Sequence, residues 1–223
     1  MENKKIKKGD FVELEYTGKF KEDNTIFDTT SKKVAEANGL NKEAKYQPIT
    51  VCIGEGIILP SIETSLEGKT IGKHKFDLTP EMAFGKKSAK LLKLIPMKVF
   101  KQQDIMPYTG LEVNIDNSFG TVRNVSGGRV IVDFNHPLSG RDLTYEVEVI
   151  KFVTGDKEKV EALLRASGIH FDSASVKEKK AMIVLEHEIH DEIKKALDEN
   201  LKKLADIKSV NYIVKKAEKK DKS

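Results

Sequence analysis

An apolar and aromatic pattern breaks off at residue 85 and resumes only at residue 143, and this interruption narrows the folds open to the chain. The first part supplies Phe27-Asp28-Thr29-Thr30, the run from 54 to 63, and Ala83-Phe84-Gly85. The second is Leu143-Thr144-Tyr145-Glu146-Val147-Glu148-Val149, rich in β-forming residues. If these pieces converge, they enclose a small apolar pocket with a single acid, Asp28, next to a second module made from the residues in between. A pocket joined to a second module points to a protein that handles other polypeptides.

The 223 residues are 39% hydrophobic and 33% charged, which predicts a soluble chain able to bury one large domain or two to three small ones. Apolar runs such as 182–185 fall far short of the roughly 18 residues that a membrane span requires. The opening Met1-Glu2-Asn3-Lys4-Lys5 leads into a charged strand without the apolar core of a secretory leader. The one cysteine, Cys52, excludes an internal disulfide and suits a reducing cytosol, the expected location; it reads as an inert core thiol. A net charge of +4 suggests nucleic acid, but arginine occurs only at Arg123, Arg129, Arg141 and Arg165, and the lysines alternate with acids. That pattern fits a solvated surface better than a phosphate-reading one.

Residues 10–16 alternate apolar and acidic side chains and predict a half-buried strand ended by Thr17-Gly18. A short helix is expected at 33–37, stopped by Asn38-Gly39, and a strand at 49–53. Ile62 and Leu66, four apart before Gly68, predict a short helix with a glycine stop. Residues 74–79 read as another strand. From 86 to 134 the character changes: an apolar cluster at 91–100 precedes strands near 111–115, 120–123 and 129–134, with Ser126-Gly127-Gly128 as a hairpin turn. Beyond 155 the order α-β-β-α-β is expected, with strands at 169–173, 181–186 and 209–214 and a lysine-rich end that frays.

The segments Glu15-Tyr16-Thr17-Gly18, Phe27-Asp28-Thr29-Thr30, 54–68, Ala83-Phe84-Gly85, Asn135-His136-Pro137-Leu138-Ser139-Gly140 and 143–149 resemble, in order, those of the FKBP-type peptidyl-prolyl cis-trans isomerases. The resemblance is to the long archaeal type related to the SlyD chaperones, and it covers most of residues 1–155. It implies an α+β fold in three parts. An FKBP-like antiparallel sheet wrapped on a short helix takes 1–85 and 139–155, an inserted β domain associated with chaperone binding takes 86–138, and a C-terminal α/β domain takes 156–223. It also implies a prolyl pocket lined by Tyr16, Phe27, Asp28, Ile49, Ile58, Leu59, Ile62, Phe84 and Tyr145. Two positions depart from the best-known members. Ile62 stands where some have tryptophan, and Phe84 where many have a tyrosine that donates a hydrogen bond to substrate.

Isomerisation of a prolyl bond needs no nucleophile, metal, cofactor or general base, so none is expected. In the pocket that the resemblance implies, aromatic walls hold the pyrrolidine ring, the Leu59 N–H anchors a flanking carbonyl, and Asp28 positions substrate or orients Tyr16. The cluster Leu91, Leu92, Leu94, Ile95, Met97, Val99 and Phe100 reads as a client-binding surface if several of its side chains stay exposed, and otherwise as the core of the insert. His187 and His190 lack a third metal ligand. The expected function is isomerase and chaperone for unfolded or proline-containing polypeptides, with a holdase lacking turnover as the alternative. No nucleic acid or membrane is an expected partner. The C-terminal domain is a candidate for homodimerisation.

Overall fold

The computed structural model describes residues 4–215, so the lysine-rich end beyond Lys215 lies outside it. The chain runs β1 (Phe11–Phe20), β2 (Ile26–Thr29), α1 (Lys32–Ala37), β3 (Ile49–Cys52), α2 (Pro60–Leu66) and β4 (Gly72–Leu78). It continues through β5 (Leu92–Pro96), α3 (Met97–Lys101), β6 (Glu112–Ile115), β7 (Ser118–Ser126), β8 (Arg129–Asp133) and β9 (Leu143–Phe152). The last elements are α4 (Asp156–Ala166), β10 (Phe171–Lys177), β11 (Lys180–Leu185), α5 (Asp191–Ala205) and β12 (Ser209–Val214). The C-terminal order is thus the α-β-β-α-β that the sequence predicts.

Two compact units result. The first holds residues up to 19, Asp23–Phe76 and residues from 144 on; the second holds Phe20–Glu22 and Asp77–Leu143. In the first unit the sheet order is β2-β1-β9-β4, with β3 also on β1. The front half of β1 pairs antiparallel with β3, from Phe11↔Cys52 to Leu14↔Ile49, and its back half pairs with β2, Gly18 opposite Asp28. β1 therefore runs on through Thr17-Gly18, where the alternation pattern predicted its end. The ladder to β2 carries it, because strand ends are set by available partners as much as by local pattern. Pro60 opens α2 at its first position, and Gly68, at φ +77°, follows its end. Ile62, Glu63 and Leu66 are buried by this helix.

The C-terminal elements do not close a core of their own. Val160 and Leu164 of α4, Ile183 and Leu185 of β11 and Leu201 of α5 form one apolar cluster with Phe11, Cys52 and Val153. A region of about 60 residues is marginal alone, and sharing apolar area with the β1–β3 pair relieves that deficit. Its sheet is β10-β11-β12, antiparallel then parallel, with α5 as the crossover.

The second unit carries an antiparallel sheet in the order β5-β8-β7-β6. Asp116 and Asn117, at φ +50° and +60°, make the β6–β7 turn, and Gly127-Gly128 make the β7–β8 turn, both in the left-handed region that two-residue hairpin loops favour. Phe100, Val113, Val122, Val130 and Val132 form its core. The Asp133 carboxylate accepts from the backbone and side-chain nitrogens of Asn135 and from Arg123, and Lys87 pairs with it at 3.5 Å. Burial works to raise that carboxyl, but these donors together hold it below its ordinary value.

Candidate functional site

Three strands of the first unit bring aromatic rings together. β1 delivers Tyr16, β2 delivers Phe27 and β9 delivers Tyr145. The Tyr16 and Tyr145 rings lie 5.9 Å apart at 48°, and Phe27 meets Tyr145 edge to face at 5.8 Å and 76°. The Tyr16 hydroxyl donates to Asp28 Oδ2 at 2.8 Å. Burial, then the bond to Asp28, pushes the Tyr16 phenol well above its ordinary pKa, and burial pushes that of Tyr145 up to about 12. Both tyrosines are therefore neutral donors at physiological pH, and Asp28 acts as an acceptor that fixes a ring.

The threonines beside Asp28 lock β2 in register. Thr29 Oγ1 donates to the Tyr16 carbonyl at 2.9 Å, so the proton in the Thr17–Thr29 hydroxyl pair, also 2.9 Å, comes from Thr17. Thr30 Oγ1 accepts from the Tyr16 N–H at 2.8 Å. A methyl on Gly18 would lie 2.6 Å from the Phe27 ring and 3.2 Å from that of Tyr145, so only glycine lets these rings close over the strand.

The other predicted wall residues of this unit are Ile49, Ile58, Leu59 and Ile62. Ile49 pairs with Leu14 at the start of β3. Ile62 is 2% exposed on α2, while Ile58 and Leu59 are half-buried in the preceding loop. That loop is held by a residue the sequence reading overlooked. Glu63 accepts from the N–H groups of Gly54, Gly56 and Ile58 at 2.8, 3.0 and 3.1 Å. The Leu59 N–H has no partner among the described residues. The cue in the sequence was an acid in α2 behind a loop with two glycines.

Phe84 belongs to the second unit. Its ring stacks on His136 at 4.4 Å and 3°, and its carbonyl accepts from Ser139 Oγ at 2.8 Å. Of the apolar cluster at 91–100, Leu91, Leu92 and Leu94 are exposed, and Val99 is half-buried. Phe100 is 2% exposed in the core of the insert, with Ile95 and Met97 packed against that core. Phe100 is thus core and not surface, while Ile95 and Met97 are half-buried: β5 alternates, turning Leu92 and Leu94 one way and Ile95 the other, and α3 folds Phe100 inward. Exposed side chains that the sequence reading did not single out are Met106, Tyr108 and Phe119, the last 79% exposed beside the Asp116-Asn117 turn. A cavity of about 330 Å³ on the same unit is lined by Leu91, Ile95, Ile115 and Phe134 with Lys93, Asp116 and Ser118.

Among the described residues no group of three or more His, Cys, Asp or Glu side chains could hold a metal ion, and no helix is long and apolar enough to cross a membrane. Cys52 is fully buried, and burial pushes its thiol up to about 11, out of the range of a reactive thiolate.

A family model described as the IF domain of FKBP26 matches residues 93–138. The chain is 30% identical over 146 residues to the short-type peptidyl-prolyl cis-trans isomerase of Methanocaldococcus jannaschii, covering 65% of this chain and 92% of that protein. It is 35% identical over 109 residues to a probable FKBP-type 16 kDa peptidyl-prolyl cis-trans isomerase of Pseudomonas fluorescens, covering 46% and 71%. It is 30% identical over 118 residues to SlyD of Vibrio cholerae, an FKBP-type peptidyl-prolyl cis-trans isomerase, covering 51% and 58%. With nearly the whole of the archaeal relative spanned, the chain belongs to the FKBP-type peptidyl-prolyl cis-trans isomerase family.

Proposed function

We propose that this protein is a peptidyl-prolyl cis-trans isomerase and folding chaperone for unfolded or partly folded polypeptides. The observation that carries the reading is the cluster of Tyr16, Phe27 and Tyr145, with the Tyr16 hydroxyl tied to Asp28. Rotation about an X–Pro bond meets a barrier of roughly 18–20 kcal/mol because the planar amide is resonance-stabilised. The twisted transition state has lost that resonance and is less charge-separated. A dry aromatic surface therefore favours it over the planar ground state, while bulk water does not. The rings hold the pyrrolidine, the Leu59 N–H takes a flanking carbonyl, and no proton changes hands. Ile49, Ile58 and Ile62 complete the apolar lining on the evidence of the family resemblance. For Phe84 the resemblance alone supports a role in contacting substrate.

The insert would bind clients through Leu91, Leu92 and Leu94 together with Met106, Tyr108 and Phe119. Support comes from their exposure on one small unit, since single solvent-facing leucines are common but several on one module are not. Weak capture there raises the local concentration of prolyl bonds at the catalytic residues, as linked sites do. The absence of a hydroxyl at Phe84 favours a second reading, a holdase with little turnover. Exchange of a short proline peptide, followed by NMR with the full chain, separates the two. Accelerated cis-trans exchange is expected; no acceleration, with suppression of client aggregation intact, would assign the holdase.

A cytosolic site of action and a homodimer through the C-terminal region belong to the same proposal. The first is supported by the unpaired Cys52, and the second by Met182 and Ile213, exposed on neighbouring strands β11 and β12. A monomeric mass at micromolar concentration would refute the dimer.

A further inference from the structure

Glu63 is 2% exposed and pairs with no cation among the described residues. A buried carboxylate is tolerated only where donors replace the lost water, and here every donor is a backbone N–H. Oε2 takes Gly54 and Gly56, and Oε1 takes Ile58. The intervening Glu55 N–H donates to the Cys52 carbonyl. Gly54 and Gly56 hold φ of +92° and +71°, so the loop occupies a shape that costs an ordinary residue strain, and the carboxylate draws it tight.

The next N–H in sequence is that of Leu59, which has no partner among the described residues. The peptide that follows it is fixed as well, because the Leu59 carbonyl accepts from the N–H groups of Ile62 and Glu63 at 2.9 and 3.2 Å. The side chain and the backbone of Glu63 thus hold the loop at both ends of the Ile58-Leu59 step.

We propose that Glu63 is a positioning residue for prolyl turnover: it fixes the 54–58 loop so that the Leu59 N–H is aimed before the substrate carbonyl arrives. The proposal rests on the isomerase reading and deepens it. With the clamp intact, ordering of the loop is complete at folding; without it, each binding event has to order the loop anew. The carbonyl that Leu59 anchors flanks the rotating bond without changing in the rotation. Its hydrogen bond therefore contributes equally to ground and transition states, and its loss raises KM more than it lowers kcat.

The test uses the full chain, a short X–Pro peptide and a temperature at which every variant is folded. Glu63→Gln removes the charge and turns an NH2 group toward at least one loop N–H. It is expected to raise KM about tenfold with kcat within about twofold of the parent, and to speed amide exchange at Gly54, Gly56 and Ile58. Val132→Ala, a cavity in the core of the insert, lowers stability at a site whose packing includes no residue of the 54–58 loop, and leaves KM for the short peptide unchanged. An effect confined to kcat, scaling with the unfolded fraction, or a KM equal to that of the parent, would overturn the proposal. Should Glu63→Gln fail to fold, Glu63→Asp keeps the charge, withdraws it by one methylene, and must raise KM in the same direction; an unchanged KM there also overturns it. A parent protein without exchange activity would instead refute the isomerase reading itself.

Discussion

The Tyr16 hydroxyl donates to the Asp28 carboxylate at 2.8 Å across the β1–β2 pair, and this bond fixes the ring that faces Tyr145. Asp28 is exposed while Tyr16 is half-buried, so the acid serves the ring and costs little to keep charged. Tyr16→Phe keeps the apolar wall and frees the ring to tilt. Stability should change by about 1 kcal/mol or less, while kcat/KM for a proline peptide falls by about three- to tenfold. Asp28→Ala should give a loss of similar size, since it removes the other end of the same bond. A double variant no worse than either single variant would confirm that one interaction is being measured.

Alkaline pH offers a second reading of the aromatic cluster. The Tyr145 phenol is held neutral up to about 12 against an ordinary value of 10.0. Its pKa is raised in the folded state, so its contribution to stability is complete below about pH 10 and is lost as pH rises toward 12. Over pH 6–9 neither Tyr16 nor Tyr145 ionises, and no step of the proposed mechanism transfers a proton. Peptide exchange rates should therefore be flat in that range, and denaturant midpoints should drop between pH 10 and 12. Tyr145→Phe should flatten part of that drop.

Element order was largely legible in the sequence because it depends on local cues. The Ile62–Leu66 spacing with Gly68 marked α2, the Ser126-Gly127-Gly128 turn marked the β7–β8 hairpin, and the segment 209–214 marked β12. The features that escaped depend on tertiary partners. β1 outran its pattern because β2 pairs with it through Gly18. Phe100 looked like any other residue of an apolar cluster, yet α3 turns it into the core while Leu92 and Leu94 stay out. Glu63 was not singled out, because nothing in its neighbours reveals that three backbone N–H groups curl back toward it.

The insert separates surface from core within a few residues, which makes the client proposal testable there. Leu92→Ser with Leu94→Ser removes exposed apolar area and should leave the insert folded. Suppression of client aggregation should fall several-fold while exchange of a short peptide is unchanged. Phe100→Ala hollows the core and should destabilise the insert by about 3–5 kcal/mol. Equal aggregation suppression by the parent and the double serine variant would remove β5 from the proposed surface.

Asp133 is the charged hub of the same unit. It is buried, and Arg123, Lys87 and Asn135 all direct donors at it. Asp133→Asn keeps an acceptor for Asn135 but turns an NH2 toward the two cations, and should cost about 2 kcal/mol. Because the folded pKa is depressed, the stability that Asp133 contributes is present above its ordinary value of 3.8 and is lost as pH falls below it. Hydrogen exchange at Val122, Val130 and Val132 should report both effects: faster exchange in the variant at pH 7, and a shallower loss of protection on acidification.

Gly18 gives the most direct test of whether ring geometry governs turnover. The methyl of Gly18→Ala would meet the Phe27 ring at 2.6 Å, well inside contact distance, and the ring is the only one of the two that can yield. The backbone at Gly18 is not in the left-handed region, so the substitution adds no dihedral strain, and the pairing of Gly18 with Asp28 keeps its N–H and carbonyl in the ladder. The variant should therefore fold, with an overpacking cost of about 1–3 kcal/mol. Phe27 would be pushed off the edge-to-face contact with Tyr145, opening to water the cluster proposed to hold the pyrrolidine. A fall in kcat/KM of tenfold or more is expected, larger than that from Tyr16→Phe, because a wall is moved and not merely loosened. Phe27→Leu in the alanine background supplies a smaller side chain that clears the added methyl. Partial recovery of stability without recovery of exchange would show that the aromatic face itself is needed at Phe27, and recovery of both would show that exclusion of water is enough.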